Sequence, residues 1–194
     1  MKKGIFSSQE AHLVAFPENP ALINLQLHQW KKNGDILSLK RGLFLFADAA
    51  PEKAEIAKNL YSPCYFGLEY VLGSAGILPE AVFTYTLVTP KLPRHFETSL
   101  GTFSYQKIKK EAFVGFDSVS LMAEKEKALV DYFYLHSAEL HSNKEFWESS
   151  RLEAVVTEIN FKKVFQYAKL FRSKKLLFLL HNFHSYATSY TSYR

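Results

Sequence analysis

Residues 26–46 read QLHQWKKNGDILSLKRGLFLF, and the fold turns on how this stretch is parsed. Its first part keeps helical spacing and closes on Lys31-Lys32-Asn33-Gly34, where Asn-Gly supplies a left-handed stop. Ile36-Leu37-Ser38-Leu39 and Leu43-Phe44-Leu45-Phe46 then read as two short apolar strands. Lys40-Arg41-Gly42 lies between them, and glycine accepts the positive φ of a tight hairpin turn. A hairpin with two cations at its tip either packs a small core only, or reaches toward something negative.

Upstream, Ser7 is followed three residues later by Glu10, a capping-box spacing that starts a helix ending before Pro17. Asn19 and Pro20 then offer an N-cap and a first helical position for a second helix. At about 100° per residue, Leu22, Ile23, Leu27 and Trp30 share one side of it, the expected buried face. Asn24, His28, Lys31 and Lys32 share the other. An asparagine can read adenine, and a lysine can read guanine or neutralise phosphate. The polar face of any surface helix has a similar composition. The order is capped helix, tight break, cation-bearing helix, cation-tipped hairpin. That order predicts a winged helix-turn-helix over residues 1–49, with Asn24, His28, Lys31, Lys32, Lys40 and Arg41 as DNA-binding residues. Such a module ordinarily has one more helix in front, and here only residues 1–6 precede the capped one.

Residues 50–194 predict a larger mixed α/β domain, giving α+β for the whole chain. PEKAEIAKNLY and YFGLEYVLGSAGILPE carry helical patterns, the second ending in glycines before Pro79. AVFTYTLVTP, RHFETSLGTFSYQKI and AFVGFDSVSLM are rich in strand formers. AEKEKALVDYFYLHSAEL reads as a helix with Ala128, Leu129, Tyr132 and Leu135 on its buried line. NFKKVFQYAKLFRSKKLLFLL reads as one or two amphipathic helices, and the Ser/Thr/Tyr-rich end as frayed.

The net charge of +5 is unevenly spread. Seven Lys or Arg and no acid fall in residues 161–194, which leaves 17 bases against 19 acids elsewhere. A one-signed block suits a polyanion, so Lys162, Lys163, Lys174 and Lys175 are candidates for additional phosphate contacts. The competing reading is a solvated helix face beside acidic neighbours. A single cysteine, Cys64, excludes an intrachain disulfide and fits a reducing compartment. No stretch reads as a signal sequence or a membrane span, which predicts a cytoplasmic protein with no membrane partner.

Four segments in order resemble the AbiEi family, the antitoxin and transcription-regulator half of type IV toxin–antitoxin systems. They are LHQWKKNGDILSLKRGLFLF, SPCYFGLEYVLGSAGILPE, TYTLVTPKLPRHFETSLGTFSYQKIKKEAFVGF and LMAEKEKALVDYFYL. They match the family's helix-to-wing segment, its Ser-Tyr-Ile-Ser-Leu-Glu run leading to Gly-Leu-Ile-Pro-Glu, its Thr-x-x-Gly-x-Phe-x-Tyr, and its Ala-x-Pro-Glu-Lys-Ala-Leu-x-Asp. Lys125 stands where the family has proline, and Cys64 to Gly67 is a loose version of its segment. The resemblance implies a winged helix that binds double-stranded DNA at its own promoter and represses its operon. It further implies a C-terminal antitoxin domain, over residues 50–194, that counteracts a nucleotidyltransferase-like toxin without a required direct complex. Such systems act in abortive infection, a phage defence.

The residues themselves give no catalytic, metal or cofactor site. Glu126, Lys127 and Asp131 are the residue types of metal-dependent nucleases, but Glu126 and Lys127 are neighbours on a helix and point about 100° apart, so salt-bridging or solvation along the helix is the expectation. His181 and His184 are spaced i, i+3, and His136 or His141 could join them, yet no Cys or carboxylate cluster accompanies them. Phosphate-loop and serine-hydrolase signatures are absent from the sequence. Tyr186, Tyr190 and Tyr193 stand outside the apolar periodicities and are the rings to consider for base stacking. The expectation is a non-enzymatic DNA-binding regulator. The alternative is a protein-interaction adaptor built on the same module, motivated by the missing first helix and a net charge of only +2 over residues 1–48.

Overall fold

The computed structural model, which describes residues 4–77, 84–140 and 159–191, is mixed α+β with two β-sheets. The N-terminal part runs β1 (Ile5–Ser7), α1 (Ser8–Val14), α2 (Pro20–Asn33), β2 (Ile36–Lys40), β3 (Leu43–Phe46). The capping box forms as its spacing predicts: Glu10 N–H donates to Ser7 Oγ, and Glu10 Oε2 accepts from Ser7 N–H at 2.8 Å. Asn19 caps α2, Pro20 opens it, and Gly34 ends it at φ +84°.

Nothing in the sequence reading anticipated β1. Three residues are too few to show a period, yet they pair antiparallel with β3, giving the order β1-β3-β2. Alternation then splits the sheet into two faces. Ile5, Leu39, Leu43 and Leu45 join the main core, beside Ile56 and Leu60. On the opposite face, under α1 and α2, the Phe6 ring packs at a tilt against both Phe44 and Phe46.

The second part runs α3 (Lys53–Leu60), β4 (Tyr65–Phe66), α4 (Leu68–Ser74), β5 (Thr84–Thr89), β6 (Arg94–Thr98), β7 (Gly101–Lys107), a 3-10 turn (Lys110–Ala112), α5 (Lys125–Leu135), α6 (Phe161–Leu170) and α7 (Lys174–Thr191). Its sheet has the order β4-β5-β7-β6, with β5 and β7 parallel and the other pairs antiparallel. The loop after β3 separates the two parts in sequence, but one hydrophobic core runs through both.

Three expectations are corrected. Residues 112–122 carry only isolated bridges, because Asp117 Oδ1 accepts from the amides of Val119 and Ser120 and holds a turn there. Those bonds, chiefly from Ser120, also draw the Asp117 carboxyl below its ordinary range. The Ser/Thr/Tyr-rich segment is helical as far as Thr191: α7 continues through it, because Leu176, Leu180, Phe183 and Ala187 form a buried line along the helix. And α2 buries only Leu27 of its expected apolar face; Ile23 is half-buried, while Leu22 and Trp30 are exposed. Pro79, Glu80, His141 and Tyr193 lie outside the described residues.

Candidate nucleic-acid interface

Leu27 presses α2 onto the first sheet, and the helix therefore has a flank on either side of it. Asn24, His28 and Lys31 follow each other at spacings of four and three along one flank, a single helical stripe. Across from them is the β2–β3 turn. Arg41 and Gly42 make its tip, with Gly42 at φ +73°. Gly42 C=O accepts from Ser8 N–H at 2.9 Å, which pins the turn to the first residue of α1. A polar cleft of about 250 Å³ lies between, lined by Asn24, His28, Lys31, Ser38 and Arg41 among others. His12 of α1 reaches Asn24 Oδ1 at 3.0 Å, fixing the asparagine at the cleft's edge. Lys31 and Arg41 are exposed, and neither has a carboxylate partner among the described residues. Lys32 is exposed too but lies further round the helix, outside the cleft lining.

Lys40 is the member of the expected set that faces elsewhere. Its ammonium donates to the carbonyls of Asn59 and Leu60, the C-terminal end of α3, and lies 5.7 Å from the Phe96 ring centre. A cation there satisfies orphan helix carbonyls. Burial lowers the Lys40 pKa from its ordinary value. The two cations of the hairpin thus divide: Lys40 ties the hairpin to the second part of the molecule, and Arg41 points to solvent.

The C-terminal lysines divide as well. Lys162 and Lys163 open α6, where Asn160 Oδ1 caps both amides. Lys163 is 3.0 Å from Glu124, whose hydrogen bond and charge raise the Lys163 pKa. Lys174 and Lys175 open α7, one ten-residue helix away, or about 15 Å. There the fold brings in residues that sequence reasoning missed. Lys109 donates to Phe171 C=O at 2.6 Å, which sets Lys109 and Lys110 beside the turn carrying Arg172, Lys174 and Lys175. The partners are 62 positions apart, so no local signal connects them.

Asp131 and Lys127 form a buried ion pair, and Tyr65 Oη binds both, donating to Asp131 at 2.7 Å and accepting from Lys127 at 2.9 Å. All three side chains are fully enclosed. Burial pushes the Asp131 carboxyl up and the Lys127 amine down, and their mutual attraction opposes both shifts. The arrangement fastens β4 to α5 and presents no group to a substrate. Glu126 accepts from Asn160 N–H at 3.1 Å. His181 stacks on Phe165, and His184 packs on Phe161. Among the described residues, no three His, Cys, Asp or Glu side chains converge as a metal site, and no helix is long and apolar enough to cross a membrane. No protein-family model matches this chain, and no curated protein matches it.

Proposed function

We propose that the chain is a DNA-binding transcriptional regulator whose residues 1–49 act as a winged helix-turn-helix. The reading-helix role falls to α2, and the wing is the β2–β3 hairpin. The observation that carries this is the convergence of Asn24, His28, Lys31 and Arg41 on one polar cleft from a helix and a hairpin tip. Side chains on a helix supply base-edge contacts, and a cation on an adjoining turn supplies a phosphate contact. The sheet order β1-β3-β2, with α1 and α2 between the first and second of these strands in sequence, supports the same assignment. Lys31, Lys32 and Arg41 contact phosphate, and Asn24 and His28 set sequence preference. Lys40 serves the scaffold.

The antitoxin role rests on the four motif segments rather than on the cleft. On that reading the protein represses its own promoter and counteracts a nucleotidyltransferase-like toxin, and residues 50–194 carry the second task. The Arg172–Lys175 turn with Lys109 and Lys110 adds backbone contacts, and Lys162 and Lys163 contribute less because Lys163 already has Glu124.

The test is a gel shift with the DNA upstream of the gene. Retardation at low salt that weakens for Lys31→Ala with Arg41→Ala supports the reading. No retardation at low salt defeats it. The adaptor reading draws on the apolar flank of α2, and a stoichiometric protein partner retained after nuclease treatment would favour it.

A further inference from the structure

The other flank of α2 is apolar and open. A groove of about 540 Å³ runs between α1, α2 and the first sheet, walled by Phe6, Leu13, Val14, Ile23, Trp30 and Phe46. Leu13 is 76%, Val14 87% and Phe16 81% exposed. With Trp30 and Phe46, which wall the groove, they place roughly 600 Å² of largely apolar surface in water, more than the few hundred Å² a monomer ordinarily leaves in one patch.

We infer that this flank is a self-association surface that takes the same flank of a second copy of this chain. Three observations select that occupant. The exposed area is about three quarters of the ~800 Å² that each partner gives to a standard interface. Leu13 and Val14 wall the groove and are themselves largely exposed, so protruding and recessed apolar surface adjoin on one flank. A two-fold contact needs such self-complementarity, because each copy must offer the same patch as knob and hole. Among the described residues that line the groove only Glu10 is charged, and its carboxylate accepts from the Ser7 amide and hydroxyl. Each copy therefore brings a single carboxylate that already accepts two hydrogen bonds, so like-charge repulsion across the pair is confined to Glu10. The polar cleft lies across Leu27 and stays open in the pair. The inference does not rest on DNA binding, and its test reads mass.

The test is sedimentation velocity on the full chain and on Val14→Glu and Phe16→Glu, at about 50 µM, where a micromolar dimer is nearly complete. These side chains are exposed, so both variants fold, which circular dichroism verifies. The expected result is a wild-type dimer and monomeric variants, with the dimer Kd raised more than roughly a hundredfold. A second reading uses Val14→Cys. Burial pushes the Cys64 thiol up to about 12, so the new cysteine is the reactive one, and mild oxidation yields a covalent dimer. A monomeric wild type at that concentration overturns the inference, even if another protein is found in the groove. So does a dimer that persists in both glutamate variants.

Discussion

On one side of Leu27, α2 faces the hairpin across a polar cleft; on the other, the same helix faces α1 across an apolar groove. Leu27 lines both. The polar flank is small, about 250 Å³, and holds Lys31 and Arg41 without carboxylates. The apolar flank is about 540 Å³ and holds almost no charge. A thin module with one fully buried helical side chain cannot cover both sides of its helix. What it leaves open differs in kind: one side is polar and carries two cations, and the other is apolar with almost no charge. The lesson is that amphipathicity here separates two open surfaces of opposite character, with the core reduced to the line between them.

The largest expected effect tests whether both flanks depend on a scaffold stabilised elsewhere. Lys127→Ala leaves Asp131 enclosed without its cation, and denaturant unfolding should lose about 3–5 kcal/mol. Cleft and groove functions should then fail together on mild heating. If cleft and groove instead fail at different temperatures, the two parts of the molecule do not share a common stability.

Leu27→Ala strikes the divide itself. Removing the side chain should cost about 2–3 kcal/mol, the low end for a buried leucine because open space flanks it on both sides. DNA affinity and dimerisation should fall in parallel. If only one falls, the flanks are supported separately.

Lys31→Ala with Arg41→Ala addresses the polar flank alone. DNA affinity should drop roughly tenfold or more at moderate salt, with the dimer untouched. Lys40→Ala is the matched control one residue away. It should cost about 1 kcal/mol of stability through the α3 carbonyls and leave DNA affinity unchanged. Equal effects of Lys40 and Arg41 on binding would erase the distinction drawn between them.

Much of this was legible in the sequence, and the failures have identifiable causes. Caps and stops at Ser7, Asn19 and Gly34 act locally, so pattern located both N-terminal helices and the hairpin. The polar stripe of α2 was legible for the same reason. Which way a hairpin cation points depends on what packs beneath the hairpin, so Lys40 looked equivalent to Arg41. Leu22 and Trp30 share the period of a buried face, but period reports a face and not whether anything covers it. The enclosure of Lys127 and Asp131 was hidden, because charged residues read as solvent-facing unless a distant partner such as Tyr65 is known. The grouping of Lys109 with Arg172 and Lys174 has the same origin, a contact made only in three dimensions.

The central claim is that the cleft between α2 and the hairpin tip is a duplex-binding surface. Fluorescence anisotropy of the upstream duplex, titrated with wild type and with Lys31→Ala/Arg41→Ala over a range of salt, tests it most directly. The expected result is wild-type binding whose log–log salt slope is shallower by about 2 in the double variant, one phosphate for each lost cation. Identical slopes for the two proteins, or no binding by the wild type at low salt, would contradict it.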